Sequence, residues 1–360
     1  MNKVRIILLL IATVIFVTLY KYSLNYMRSD NVKTVTDPIP KTILYWNAYW
    51  SEKDFEIGFG AEPFRTCKYK HCFVTNYKTF KPIDEFDAII FHTPTYNPRR
   101  DGKPSRRNER QVYIFHNMET PVTNTVNFKN FNSFYNWSMT YRLGSDIINR
   151  YGEFIEEKSN YTLPSVQVIE KKTKLVAWFV SNCKTPSKRE KLVEEMKKYL
   201  PVDIYGKCGT FKCQRRKGDN KCYEMLEQKY KFYLSFENSF CNDYLTEKLY
   251  NVLKKNVVPI VYGAGNYSLS APPHSVINVV DFDTVKQLTD YLKHLDKNVT
   301  AYLKYFEWKK KFKVVKQNRA CGICKKLHEP LKNSVYDDLK SWYWGKKGEI
   351  CKTELMIMEK

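Results

Sequence analysis

The chain is 360 residues long, which is enough for two domains of ordinary size with hydrophobic cores of their own. Its formal net charge is +22, and 27% of its residues are charged, so the surface is strongly basic. A basic surface favours anionic partners, such as nucleotides, lipid head groups or nucleic acid, over cationic ones. Aromatic residues make up 15% of the chain and would suit stacking on sugars, but aromatic side chains more often form cores.

An almost wholly apolar run lies near the start of the chain, at residues 4–20. Crossing a bilayer takes about 17–25 such residues, so the run is just long enough. Basic residues lie both before and after it, which leaves the charge bias weak. A cleaved signal peptide is the alternative, but no small-x-small cleavage site follows the run. We therefore predict an uncleaved signal anchor with a lumenal body: a cytosolic tail at 1–5, a transmembrane segment at 6–22 and a polar stem at 23–40.

Four Asn-x-Ser/Thr sequons agree with a lumenal body, because such triplets are acceptors for N-glycosylation in secreted proteins. They begin at Asn136, Asn160, Asn266 and Asn298. Such triplets also arise by chance, and Asn136 lies in a run with the character of a β-strand, where glycosylation is less expected.

The chain contains ten cysteines, which in a secretory protein predict disulfides. Zinc is the competing interpretation, since Cys321 and Cys324 have the spacing of metal ligands. A structural zinc site needs a second pair, usually also two residues apart. The other close pairs, Cys67/Cys72 and Cys208/Cys213, have four residues between them. The compartment and the spacing together favour disulfides.

The first half of the body predicts an α/β domain, which we place at 41–160. Its helices are poorly marked, and a basic loop rich in Pro and Arg occupies 94–110. Apolar runs predict strands at 42–46, 86–91, 112–115 and 135–141. The interval 152–172 has no clear periodic signal, and we place an interdomain linker at 161–172.

A second α/β domain is predicted at 173–345, followed by a tail at 346–360. Strands are expected at 175–180 and 202–205 around a helix at 187–200, and a strand at 276–280 precedes a helix at 284–295. Between them, 231–263 predicts one strand–helix–strand unit with a right-handed crossover. Alternating strands and helices of this kind predict a doubly wound parallel sheet.

The helix of that central unit carries the most informative polar residues. Asn242 or Asp243 can cap its start, where free backbone N–H groups and the helix dipole favour a phosphate. Tyr244, Glu247 and Lys248 are spaced so that they share one face of the first turn. Lys248 can neutralise a diphosphate and Glu247 can accept hydrogen bonds from sugar hydroxyls, which predicts half of a nucleotide-sugar site. The alternative is an ordinary solvated helix with a charged face.

No motif requires a metal cofactor, although a divalent cation could still stimulate a reaction. Asp281 and Asp283 imitate the Asp-x-Asp motif that binds manganese in some glycosyltransferases. They lie between a strand and a helix, where Asp283 can serve as the helix N-cap, and we favour capping.

Several segments between about 110 and 345 resemble the α1,3-fucosyltransferases. The central unit carries the family's signature in YKFYLSFENS, DYLTEKL and VPIV, which run from 230 to 261. In the first half, FHNMETP at 115–121 is similar to the family's Glu-Ser-Pro segment, with Thr120 in place of serine, and NWSMTYR at 136–142 to the run that follows it. LVAWFVSN at 175–182 and the C-terminal Cys-x-x-Cys and SWYW have counterparts as well.

The resemblance implies two Rossmann-like domains facing a cleft, the architecture called GT-B. It also implies a single-pass type II Golgi membrane enzyme that moves L-fucose from GDP-fucose to O3 of an N-acetylglucosamine in a glycan, with inversion. Glu119 would be the general base. The donor-binding residues would be Asn182, Arg189, Asn238, Tyr244, Glu247 and Lys248. Disulfides would join the early pair, Cys67 and Cys72, to the late pair, Cys321 and Cys324.

Inverting transfer needs a base for the acceptor's proton and cations for the departing diphosphate, and these assignments supply both. Glu119 follows an apolar strand, but it could also be an ordinary loop glutamate, and His116 is a rival base. Two other functions remain open: a lumenal glycosyltransferase that uses another nucleotide sugar, and a non-enzymatic basic and aromatic binding module. The compartment opposes nucleic acid as a partner. The acceptor, N-glycan core or lactosamine antenna, and the oligomeric state are not indicated.

Overall fold

The computed structural model describes residues 39–123, 126, 128, 131–213, 221–330 and 334–352. The predicted tail, anchor and nearly all of the stem lie outside these residues, as does most of the predicted C-terminal tail. Among the residues that are described, no helix is long and apolar enough to cross a membrane. The account below concerns the compact unit that begins at Lys41.

The strands and helices are named in chain order. The strands are β1 (Lys41–Tyr45), β2 (Cys72–Thr75), β3 (Ala88–His92), β4 (Val112–Asn117), β5 (Trp137–Thr140), β6 (Ile147–Ile148), β7 (Glu153–Glu156), β8 (Lys174–Phe179), β9 (Val202–Tyr205), β10 (Tyr230–Phe236), β11 (Phe240–Cys241), β12 (Val258–Tyr262), β13 (Ile277–Asn278), β14 (Phe312–Val315) and β15 (Cys351–Lys352). The helices are α1 (Pro98–Asp101), α2 (Val166–Glu170), α3 (Arg189–Met196), α4 (Lys221–Lys229), α5 (Glu247–Leu253), α6 (Tyr267–Ser270), α7 (Val285–Lys297), α8 (Val299–Leu303), α9 (Arg319–His328) and α10 (Leu339–Trp344).

The first half of the unit forms a parallel sheet with the strand order β2-β1-β3-β4-β5-β6. The four strands that the sequence predicts are present as β1, β3, β4 and β5, within a few residues of the expected ends. Strands β2 and β6 were not predicted; β6 has only two residues, which are too few to show a periodic pattern.

The second half forms another parallel sheet, with the order β13-β12-β10-β8-β9. Strand β10 is buried along its whole length and pairs with β8 and β12, so it lies in the middle of the sheet. The predicted strand–helix–strand unit is therefore confirmed as β10–α5–β12. Two parallel sheets with intervening helices make this an α/β protein.

Two helix caps differ from the sequence prediction. Helix α5 is capped by Thr246, whose side chain accepts from the backbone N–H of Lys248, and not by Asn242 or Asp243. Asp243 has a φ of 65° and accepts a hydrogen bond from Leu143 N at 3.1 Å, so its carboxylate is directed elsewhere. Helix α7 is likewise capped by Thr284 rather than Asp283. In both cases the threonine immediately before the helix has the better position.

The interval 152–172, which shows no clear periodic signal in the sequence, contains regular structure, and α2 lies inside the linker predicted at 161–172. Strand β7 pairs antiparallel with β14, whose residues lie more than 150 positions later, and α2 follows before β8. A pairing at this distance leaves no local pattern in the sequence. The helices α9 and α10, which the sequence places with the second half, pack instead into the cores of the first sheet through residues such as Ile323 and Tyr343.

All ten cysteines form disulfides, which excludes the zinc interpretation of Cys321 and Cys324. Two bonds join the early pair to the late pair, as the resemblance implied, and fix α9 against the first sheet. The five bonds are Cys67–Cys321, Cys72–Cys324, Cys183–Cys208, Cys213–Cys222 and Cys241–Cys351.

Three sequon asparagines, Asn160, Asn266 and Asn298, are exposed. The fourth, Asn136, donates from Nδ2 to Ser334 O at 3.1 Å, a hydrogen bond that a glycan would displace.

Candidate active site

A cavity of about 400 Å³ lies at the carboxyl edge of the second sheet, where β8, β9 and β10 end. Its lining includes five of the six predicted donor-binding residues: Asn182, Arg189, Asn238, Glu247 and Lys248. The carboxyl edge is where open parallel sheets bind ligands, because the loops that leave neighbouring strands meet there. These residues come from two segments that are distant in the chain, the one from β8 to the start of α3 and the one from β10 to the start of α5, so only the folded sheet brings them together.

Lys248 is the central cation of this cavity. Its Nζ lies 3.2 Å from Glu237 Oε2 and 3.5 Å from Glu247 Oε1, and it donates to Thr246 Oγ1 at 2.7 Å. Burial alone would lower the pKa of the ammonium, but the two carboxylates more than offset this and raise it above its ordinary value. Lys248 is therefore held charged at neutral pH in a position to bind an anion.

Glu237 is a site residue that the sequence analysis missed. Only 1% of this residue is exposed, and its carboxylate accepts from Thr246 N at 2.8 Å and from Thr246 Oγ1 at 2.9 Å as well as contacting Lys248. It thus connects the end of β10 to the start of α5. The available signal was a charged residue directly after a buried strand, since a buried carboxylate requires such partners.

Arg189 begins α3 and is almost completely buried. Its guanidinium donates from Nη1 to Phe236 O at 2.6 Å and from Nη2 to Asn182 O at 3.4 Å, while Nε is buried without a partner in the described structure. Burial lowers the pKa of Arg189, with Glu237 the main opposing charge. Because arginine stays protonated even so, it provides a second cation on the cavity wall.

Aromatic rings form another part of the wall. Phe179, Tyr205, Tyr223 and Tyr233 line the cavity, and Phe179 contacts the other three edge-on at centroid distances of 5.2–5.8 Å. Beside them Gly206 has a φ of +106°, and a Cβ there would lie 2.5 Å from Val180 O, so only glycine fits. The Cys183–Cys208 and Cys213–Cys222 bonds brace the loops around this wall. A planar, electron-rich group would fit against it.

Glu119 lies at the carboxyl edge of the first sheet, two residues after β4. Its backbone N–H donates to Asn117 Oδ1 at 2.8 Å, and its carbonyl accepts from the hydroxyl of Tyr343 on α10. The next residue, Thr120, donates to Ser239 Oγ in the second half at 3.1 Å. Burial raises the pKa of the Glu119 carboxyl, and Lys248 and a hydrogen bond from Tyr244 act against this rise. The base candidate is thus partly desolvated and within electrostatic reach of the cavity's cation.

Tyr244 does not lie where the helical spacing placed it. Helix α5 begins at Glu247, so Tyr244 precedes it and does not share its face with Glu247 and Lys248. Its ring is buried edge-on against Tyr141 at 4.9 Å, and its hydroxyl donates to Glu119 Oε2 at 3.3 Å. It is absent from the cavity lining. Tyr244 therefore supports the carboxylate rather than forming the cavity.

His116, the rival base, is completely buried inside the first half. Its Nε2 accepts from Asn149 Nδ2 at 3.1 Å, and its ring packs near Tyr49 and Phe55. Burial holds the pKa of this imidazole well below its ordinary value. A side chain with no exposed surface cannot reach an acceptor hydroxyl without rearrangement, so Glu119 is the better candidate.

Two family models and several known proteins are similar to this chain. A family model described as fucosyltransferase, N-terminal, matches residues 39–152, and one described as glycosyltransferase family 10 (fucosyltransferase) C-term matches residues 169–342. Alpha-(1,3)-fucosyltransferase C of Drosophila melanogaster is 33% identical, over 94% of this chain and 88% of its own length. Glycoprotein 3-alpha-L-fucosyltransferase A of the same organism is 40% identical, over 71% of this chain and 52% of its own length. A crystal structure of an alpha1,3-fucosyltransferase with GDP-fucose has a similar fold, with a TM-score of 0.52 at 18% identity, covering 83% of this chain and 93% of that one.

Proposed function

The chain belongs to glycosyltransferase family 10, the fucosyltransferases, and from this we propose that it transfers L-fucose from GDP-fucose to O3 of an N-acetylglucosamine in a glycan, with inversion. One observation carries the proposal. Five predicted donor-binding residues line a single cavity, and two of them, the buried Arg189 and the half-buried Lys248, are cationic side chains. Glu119 approaches this cavity from the other half of the protein. This arrangement supports a reaction in which Glu119 is the base on one side of the reacting carbon and the cavity holds the leaving group on the other.

In the proposed complex the donor occupies the cavity. Lys248 and Arg189 bind the diphosphate, because both are charged and face the same space. The aromatic wall accommodates the guanine, while Asn182 and Asn238 offer amide groups to the nucleotide. Glu247, at the start of α5 beside Lys248, accepts hydrogen bonds from fucose hydroxyls.

The transfer is a single displacement. The acceptor O3 attacks C1 of fucose, its proton passes to the Glu119 carboxylate, and the bond from C1 to the phosphate oxygen breaks as GDP leaves. The raised pKa of Glu119 makes it a stronger base than an ordinary glutamate. Lys248 stabilises the charge that develops on the departing phosphate. Tyr244 holds the carboxylate in place through its 3.3 Å hydrogen bond, which we propose in place of a direct role in donor binding.

We further propose that the two sheets belong to Rossmann-like domains facing a cleft, as in GT-B enzymes. The expected setting is the Golgi lumen, with residues 6–22 as a type II anchor. No metal cofactor is needed in this scheme, because two protein cations supply the positive charge at the diphosphate. The acceptor is a glycan that presents N-acetylglucosamine, either at an N-glycan core or on a lactosamine antenna.

The proposal is tested with purified protein and a panel of nucleotide sugars, each offered with both types of acceptor. We expect transfer from GDP-fucose alone, and NMR of the product should show an α-linked fucose on O3. Transfer from a different nucleotide sugar would replace the proposed donor. Binding of glycans without transfer from any donor would instead support a binding module.

A further inference from the structure

A tight turn after β1 presents an exposed tryptophan. The turn is closed by two reciprocal hydrogen bonds, from Tyr49 N to Glu52 O and from Glu52 N to Tyr49 O, both 2.8 Å long. Trp50 lies at its tip with a φ of 52°, a left-handed conformation that residues other than glycine rarely adopt. The residue is 52% exposed. Such backbone conformations persist where the surrounding structure enforces them, and they concentrate at binding sites.

Trp50 lies on the same sheet edge as the proposed base. Its ring meets His92, the last residue of β3, edge-on at 5.4 Å. His92 pairs in register with His116 of β4, and their rings are 5.8 Å apart. Glu119 follows His116 by three residues. Trp50 thus contacts the end of β3, and Glu119 follows the end of the neighbouring strand β4, so only these two strand ends separate the indole from the proposed base.

The support beneath the indole is fixed. His92 accepts at its carbonyl from Asn47 Nδ2 and donates its N–H to Asn47 Oδ1, each at 3.0 Å, which joins the ends of β1 and β3. The His92 ring also contacts Thr95 Oγ1 at 2.8 Å. An aromatic ring that rests on such a fixed support loses little conformational freedom when it binds a ligand.

We propose that Trp50 is the platform on which a pyranose ring of the acceptor glycan stacks while the acceptor O3 faces Glu119. This inference rests on the proposed fucosyl transfer and identifies where its acceptor is held. The C–H face of a pyranose is apolar and slightly positive, so it suits the large, electron-rich face of an indole. The donor cavity is formed by loops of the second sheet, which leaves this edge of the first sheet for the other substrate.

Exposure alone would not distinguish Trp50 from other surface aromatics. Phe80 is also 52% exposed, but its ring stacks on Phe73 at 5.1 Å and lies 6.4 Å from Phe86, which precedes β3. It therefore packs toward the opposite end of the strands from Glu119. Phe80 is a matched control, since it has the same exposure and a different place in the fold.

The test uses the purified full-length protein and measures three quantities: the acceptor KM, the GDP-fucose KM, and GDP-fucose hydrolysis without acceptor. For Trp50→Ala we expect the acceptor KM to rise about tenfold, the size of effect that loss of an aromatic contact produces. The GDP-fucose KM and the hydrolysis rate should stay at wild-type values. Trp50→Phe should recover most of the acceptor affinity, and Phe80→Ala should behave as wild type.

The outcomes distinguish a failure of the proposed function from a failure of the role of Trp50. If the wild type transfers no fucose, the proposed function fails. If the wild type transfers fucose and the acceptor KM of Trp50→Ala stays within about twofold of it, the role of Trp50 is refuted. If Trp50→Ala loses donor hydrolysis as well, the Trp50→Phe variant decides between the two roles. An acceptor KM of Trp50→Phe equal to that of wild type, together with a GDP-fucose KM raised as much as in Trp50→Ala, would assign Trp50 to folding instead.

Discussion

Replacing Glu119 with glutamine should abolish most of the chemistry while leaving donor binding intact. The amide keeps the shape of the side chain and can still accept the hydroxyl of Tyr244, but it cannot take a proton. Removing a general base lowers turnover by about 10²–10⁴-fold. Donor affinity should hardly change, because Glu119 is outside the cavity lining and Lys248 keeps its nearer carboxylates, Glu237 at 3.2 Å and Glu247 at 3.5 Å.

The assay combines calorimetry of GDP binding with turnover at saturating acceptor. Glu109→Gln provides the control, since it removes an exposed carboxylate from the same half of the protein. We expect Glu119→Gln to bind GDP within about twofold of wild type, a difference below 0.5 kcal/mol. Wild-type turnover in this variant, or a loss of GDP binding comparable to that of a Lys248 variant, would refute the assignment.

Four further results are expected. Lys248→Met should weaken GDP binding by about 1.5–3 kcal/mol and lower turnover, since it removes a charge-assisted contact; unchanged GDP calorimetry would contradict this. Burial raises the pKa of Glu119, so activity should be lost as pH falls through a value above the ordinary glutamate pKa of about 4.3. Tyr244→Phe removes a hydrogen bond that lowers the pKa of Glu119, so the acid limb of the kcat–pH profile should shift to higher pH. An acid limb at the wild-type pH would argue against this contact. The Cys67–Cys321 and Cys72–Cys324 bonds close nearly the same loop, of 254 and 252 residues, so either bond alone supplies most of the loop-closure entropy. Removing one bond should therefore lower the free energy of unfolding by about 2–3 kcal/mol, and removing both should lower it by about 7–8 kcal/mol. Chemical denaturation of the two single-pair variants and the double variant measures this, and additive costs would exclude the loop argument.

The central strand–helix–strand unit shows how far local pattern carries. Strand β10 is aromatic and apolar apart from Lys231 and Ser235, and α5 has apolar residues at helical spacing, so both could be predicted along with the polar residues that follow β10. The same reasoning misplaced Tyr244 by assuming that the helix begins three residues earlier than it does. Helix starts depend on which cap side chain reaches a free N–H, and several candidates lay within five residues of one another.

The sequence by itself determined the features that depend on interactions between near neighbours in the chain: the main strands, the principal helices, and the position of Glu247 and Lys248 in a helix that follows a buried strand. Tertiary structure alone decided which pieces meet. Tyr244 and Glu119 are 125 residues apart, Thr120 and Ser239 are 119 apart, and each pair is joined by a hydrogen bond between the two halves. The return of α9 and α10 to the first sheet, the burial of Glu237 beneath Lys248 and the partners of six of the cysteines also depend on packing between distant segments. Periodicity carries no information about such contacts, because it records which face of an element is buried and not what covers it.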